Sequence, residues 1–227
     1  MTDKNELRKL KEEAREKLRG IDLHRYHLDV IDDRLNTYIE SVTADPDGHN
    51  LYELLSIVRF FRLLDTYFFR TGEVKKFIVF YESLQFSGLN GRTRYKLTPI
   101  QVFQFANILG FYKTEEKRLI RDALLFVPRK YSKTTSVASL AIYDLLFGDA
   151  NAQSYVAANN YNQAQICFSE IKEILKCLDP KFRHFKINRE QVFNKMQGKT
   201  SFARCLASNA DKLDGLNASM VILDEYS

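Results

Sequence analysis

Across residues 1–90 the apolar positions recur at helical rather than strand spacing. From Glu6 to Arg19, Leu7, Leu10, Ala14 and Leu18 return every three to four residues among Lys, Arg and Glu. That spacing predicts an amphipathic helix with a narrow apolar stripe, ended by Gly20. A second helical pattern runs from Asp22 to Val42, and Asp45-Pro-Asp-Gly48 reads as a turn, because proline presets φ and glycine tolerates positive φ. Leu51 to Phe69 is more apolar, and Leu54, Leu55, Val58, Phe61, Leu64 and Tyr67 or Phe68 define a broad face that requires burial. Another helix is predicted over Glu73 to Leu84. Ser87-Gly-Leu-Asn-Gly91 then breaks the pattern ahead of a basic patch, Arg92, Arg94 and Lys96. The break sets a boundary between a helical region, 1–90, and a second domain, 91–227.

Beyond it, short apolar runs alternate with helical patterns, which predicts an α/β layer structure. Thr98 and Pro99 open a helix through Gln101 and Phe105 to Leu109 as cap and first helical residue. Ala123-Leu-Leu-Phe-Val127 is expected as a buried strand, followed by a helix with Val137, Leu140, Ala141 and Leu145 on one face and a stop near Gly148. Ser154–Ala158 is a second strand. It feeds a helix bearing Cys167, Ile171, Ile174, Leu175 and Leu178 and halted by Pro180. Strands near 190–194 and 200–206 flank Gln197-Gly198 as a hairpin, and Met220–Asp224 is a final apolar strand.

Composition narrows the setting. The 227 residues are 45% hydrophobic, enough for a buried core, and carry a formal charge of +5, a moderate excess that favours a polyanionic partner without establishing one. The three cysteines, Cys167, Cys177 and Cys205, are odd in number and lack CxxC spacing, which argues against a zinc knuckle or a disulfide framework and fits a reducing compartment. The start, Met1-Thr-Asp-Lys-Asn-Glu, has no apolar leader, and no run approaches the roughly 18 apolar residues of a membrane span. The chain is expected in the cytoplasm, without membrane attachment.

The candidate chemistry lies in two segments. Val127-Pro-Arg-Lys-Tyr-Ser-Lys-Thr-Thr135 sits between a predicted strand and a helix, and Met220-Val-Ile-Leu-Asp-Glu225 ends an apolar run in two acids. The first has the form of a P-loop, with Lys133 to neutralise terminal phosphates and the Thr134 hydroxyl to coordinate Mg2+; Ser132 and Val127 stand where glycines would. The second has the form of a Walker B strand, with Asp224 toward the metal and Glu225 toward the attacking water. Together they read as an ATP site on an α/β, P-loop NTPase-type sheet with flanking helices.

Four segments extend the pattern. They are Pro128-Arg-Lys-Tyr-Ser-Lys-Thr134, Leu97-Thr-Pro-Ile-Gln101, Val156-Ala-Ala-Asn-Asn-Tyr-Asn-Gln-Ala164, and Leu213 to Glu225. Jointly they resemble the ATPase part of large terminase subunits, the DNA-packaging motors of tailed double-stranded DNA phages. The resemblance implies an ATP hydrolase using ATP and Mg2+. It gives Gln101 to the adenine edge, the loop Pro128, Arg129, Lys130, Tyr131, Ser132, Lys133, Thr134 and Thr135 to the phosphates, and Thr134 with Asp224 to Mg2+. Glu225, Arg129 and Lys133 are the catalytic group, Arg129 as charge stabiliser near the γ-phosphate. Double-stranded DNA, a portal and a small terminase subunit are the implied partners, with a homo-oligomeric ring in the assembled motor, in the host cytoplasm. Ser132 in place of the usual glycine and Tyr131 in place of the common asparagine depart from the family pattern. That pattern also continues past Glu225 into a coupling motif, further strands and a nuclease domain, so the chain is expected to be a truncated ATPase part with no nuclease site to assign. Two other readings stand beside this one: a different P-loop ATPase such as a helicase-like translocase, and a nucleotide-inactive piece whose helical N-terminus is a binding module.

Other constellations are weaker. His24 and His27 have helical i, i+3 spacing but no third ligand, and Asp45, Asp47 and Asn50 fit a turn and helix cap better than a calcium loop. Arg92, Arg94 and Lys96 are either a solvated linker or a phosphate contact, and Gln163 is a helix-start residue with DNA contact as its alternative.

Overall fold

The computed structural model describes residues 4–88, 91–128, 130–206 and 216–224. In chain order its elements are α1 (Lys4–Arg19), α2 (Asp33–Ala44), α3 (Leu51–Thr66), β1 (Phe68–Phe69), α4 (Thr71–Ser83), β2 (Phe86–Gly88), β3 (Gly91–Thr93), α5 (Pro99–Gly110), β4 (Phe111–Tyr112), α6 (Lys133–Phe147), β5 (Gln153–Ala158), α7 (Tyr161–Leu178), β6 (Phe185–Ile187), β7 (Gln191–Asn194), β8 (Phe202–Cys205) and β9 (Met220–Asp224). Two compact units result, residues 1–79 with 96–124, and residues 80–95 with 125–227. Among the described residues no helix is long and apolar enough to cross a membrane.

The first unit is helical because its apolar stripes have only one another to cover them. α1 packs on α3 and α2 on α5. Phe60 lies at the centre, its ring 5.2–6.0 Å from those of Phe61, Phe69, Phe103 and Phe111. The helix expected over 22–42 is broken. Asp22 accepts from the His24 N–H, His27 takes positive φ between two short 3₁₀ turns, and Asp32 caps α2 through the Arg34 N–H. Short acidic side chains that bond to nearby N–H groups offer the backbone an alternative to continuing the helix. The buried face of α3 also differs from expectation. Leu54, Ile57, Phe60, Phe61 and Leu63 are buried, while Leu55 and Phe68 are exposed. Leu55 shares its face with the exposed Arg59, Arg62 and Thr66, so the polar positions place it toward solvent. Phe68 and Phe69 leave the helix altogether, pairing with Tyr112 and Phe111. Asn50 caps α3 with a full capping box to Glu53.

The second unit is α/β, built on a mixed five-stranded sheet in the order β6-β7-β8-β5-β9. β5 runs parallel to both β8 and β9, and β6, β7 and β8 form antiparallel pairs. α6 and α7 pack on each other and on β5, β8 and β9. Alternation buries Val192, Ala203, Cys205 and Ile222, and Gly198 turns the β7–β8 hairpin at positive φ. The buried strand expected at 123–127 is absent: the segment has no regular structure, and Leu124 and Phe126 are 93% and 94% exposed. An apolar run becomes a strand only where a ladder partner accepts its backbone groups. No described strand pairs with this one, and β9 is an edge of the sheet.

A buried carboxylate fixes the entry to β6. Asp179, 5% exposed, accepts N–H bonds from Arg183, His184 and Phe185 at 3.0, 2.6 and 3.0 Å. Burial pushes its carboxyl up, but the three N–H donors outweigh that and hold it below the usual value of 3.8. The charged form is therefore stabilised by folding, present above the unfolded value and lost as pH falls through the depressed one. Asp179→Ala is expected to cost about 2–4 kcal/mol through stranded N–H groups. Its destabilisation relative to the parent should shrink as acid approaches the depressed value, which denaturant melts across acid pH would measure.

Candidate functional site

The loop before α6 turns through two left-handed residues, Lys130 at φ 68° and Ser132 at φ 63°. Ser132 thus takes the conformation a glycine would adopt freely, and its Cβ makes that cost roughly 1 kcal/mol. The Tyr131 N–H closes on the Pro128 carbonyl at 3.3 Å, and the Ser132 carbonyl accepts from the Thr135 hydroxyl and the Ser136 N–H. The loop and first turn enclose an open cleft of about 300 Å³ lined by Val127, Pro128, Lys130, Ser132, Lys133, Thr134 and Thr135. Two ammonium groups, three hydroxyls and the amides at a helix N-terminus form a donor set matched to phosphate oxygens.

Asp224 is the last residue of β9, paired in parallel register with Ala158 at the end of β5. The Lys133 Nζ lies 2.9 Å from its Oδ1; the carboxylate side chain is 4% exposed and the lysine 32%. The two predicted motifs therefore meet at the carboxyl ends of parallel strands, where α/β sheets place their ligands. Thr134, beside Lys133, lines the same cleft.

Two supports were not legible from the motifs. Asp144, on α6, accepts from the Ser154 hydroxyl at 2.7 Å and the Ser219 hydroxyl at 2.6 Å. Ser219 also exchanges hydrogen bonds with the Gln153 backbone. This cluster ties the far end of α6 to the start of β9, so the helix carrying Lys133 and the strand carrying Asp224 are joined at both ends. Tyr81, 1% exposed, is hydrogen-bonded to the Thr135 and Ser136 side chains behind the first turn; burial pushes its hydroxyl up and these bonds oppose it. Beneath the site, burial and then the charge of Asp224 push the Cys167 thiol up to about 12. Its thiolate fraction at pH 8 is on the order of 10⁻⁴. Cys205 is buried and also raised, first by burial, whereas Cys177 is half-buried. A disulfide-exchange titration of the native chain is expected to find one promptly reacting thiol, Cys177, and all three after denaturation.

A scan against protein-family models matches residues 99–227, more than half of the chain, to the terminase large subunit, ATPase domain. The chain belongs to this family. No curated protein and no solved structure gives a match. The terminase match runs from Pro99 through both motifs, and so takes in every residue expected at the site. Gln101 belongs to the first unit, 8% exposed, its carbonyl oxygen accepting from the Thr98 N–H and hydroxyl at 2.9 and 3.0 Å. Arg129 and Glu225 lie outside the described residues. Arg92, from the basic patch, is committed to an ion pair with Glu173. Gln163 gives its backbone N–H to the Asn160 cap of α7.

Proposed function

We propose that this terminase-family chain binds MgATP at the α6 N-terminus and hydrolyses it to drive double-stranded DNA into a procapsid, working with a portal and a small terminase subunit. The observation that carries the reading is the 2.9 Å pairing of Lys133 with Asp224 at the ends of β5 and β9. Lys133 would hold the β- and γ-phosphates of bound ATP, and Asp224 with Thr134 would hold the metal. Mg2+, when bound, neutralises charge on the phosphate oxygens. The α6 amides and Thr135 hold the phosphate chain, and Pro128, Lys130, Tyr131 and Ser132 shape the loop around it. Arg129 is assigned to charge developing at the γ-phosphate, and Glu225 to orienting the attacking water. Gln101, its carbonyl already committed to Thr98, offers its amide N–H groups to the adenine edge.

The test is equilibrium titration of the chain with a fluorescent ATP analogue. Saturable binding that requires magnesium and is competed by ATP is expected. Binding that persists unchanged in a chelator, or is not competed, would remove the reading.

A further inference from the structure

One edge of the sheet in the second unit is strongly basic. Residues 181–199 hold Lys181, Arg183, Lys186, Arg189, Lys195 and Lys199 against a single acid, Glu190, a local net charge of +5. This segment is the β6–β7 hairpin with its flanks, at the edge of the sheet opposite β9. Lys195 and Lys199 are turned inward to the carbonyls of Phe182 and Gly148. Lys181, Arg183, Lys186 and Arg189 are exposed and make no ion pair among the described residues. The turn that carries Arg189 is held rigidly: the Asn188 N–H reaches the Gln191 carbonyl, Lys172 holds the Arg189 carbonyl, and Tyr161 donates to Glu190.

We infer that this edge is a surface for the phosphate backbone of duplex DNA, bound without regard to sequence. The inference deepens the proposed function and rests on it only for the biological role, since the charge and its placement stand alone. Four unpaired cations on a fixed hairpin match a polyanion, and backbone contacts of this kind position a duplex without reading bases. Single strands are the poorer fit, because they require aromatic platforms for stacking. Of the phenylalanines here, Phe185 is buried and Phe193 half-buried, leaving Phe182 as the exposed one. Charge on an edge strand also protects against edge-to-edge pairing, but a charge of either sign serves that purpose. Four strand spacings separate β6 from β9, roughly 19 Å, so DNA and nucleotide would occupy opposite edges of one sheet.

The experiment is anisotropy of a labelled mixed-sequence duplex titrated with the full chain at several salt concentrations. The variant is Arg183→Glu, Lys186→Glu and Arg189→Glu together, which keeps the edge charged and so leaves folding intact, as a thermal melt would register. The control is Lys4→Glu, Arg8→Glu and Lys17→Glu, the same change of charge on α1. The edge variant is expected to lose on the order of 10²-fold in affinity near 0.1 M salt and about 2.7 from the log–log salt slope, at 0.9 per phosphate contact. The control should stay close to the parent. Equal losses in both variants, an unaffected edge variant, or a parent that does not bind duplex would overturn the inference. So would a parent that prefers anionic vesicles to duplex. ATP-analogue titration of the same proteins separates the two readings: unchanged nucleotide binding in the edge variant is expected, and a parent that binds duplex through this edge but no nucleotide removes the ATPase reading alone.

Discussion

Replacing Lys133 by alanine is expected to weaken MgATP binding by about 10²–10³-fold, because hydrogen bonds to charged groups contribute about 1.5–3 kcal/mol each and the proposed function gives the lysine more than one to the terminal phosphates. The same substitution strands Asp224, whose side chain is 4% exposed and whose ionic partner is Lys133. An unsatisfied buried carboxylate costs about 1–3 kcal/mol, toward the lower end here because the lysine half of the pair is a third solvated. The two effects are separable. In Lys133→Ala with Asp224→Ala the stranded charge is gone, so most of the lost stability should return while nucleotide binding stays lost. Denaturant melts and analogue titrations on the two single variants and the double variant would measure both. Full recovery of binding in the double variant would mean that Lys133 serves only to neutralise Asp224.

What could be read from the sequence was local. Ser-Lys-Thr ahead of a helical run and an apolar run ending in Asp-Glu are contiguous signals, and the structure brings their described residues, Lys133 and Asp224, together. The β5 strand, the β7–β8 hairpin about Gly198 and the capped start of α5 were legible for the same reason. Features set by distant partners were not. Whether 123–127 is a strand depends on a ladder neighbour. Asp144, Ser154 and Ser219 come from three separate elements and carry no common spacing. β6 is too short, at Phe185–Ile187, for its alternation to stand out after Pro180. The charge excess was legible as a total, but which of the cations share the exposed β6–β7 edge was not.

Glu225→Gln is expected to do the opposite of Lys133→Ala: nucleotide binding within about threefold of the parent, and turnover down by about 10²–10³-fold, in the range for loss of a positioned base. The basis is the division of roles between the two acids. Asp224 is the last rung of the β5–β9 ladder, opposite Ala158, and its carboxylate is already engaged with Lys133 on the α6 side of the sheet. With Asp224 assigned to the metal, the second acid of the motif, Glu225, is the one left to act on water. Glutamine keeps the size and hydrogen-bonding reach of Glu225 but cannot accept a proton or polarise water as a carboxylate does, so the ground-state complex should form and stall. Phosphate release under single-turnover conditions, beside analogue titration on the same preparation, would measure the split. A variant that loses binding as Lys133→Ala does would place Glu225 among the phosphate- or metal-holding groups instead, and one that turns over normally would move the water-orienting role to another residue.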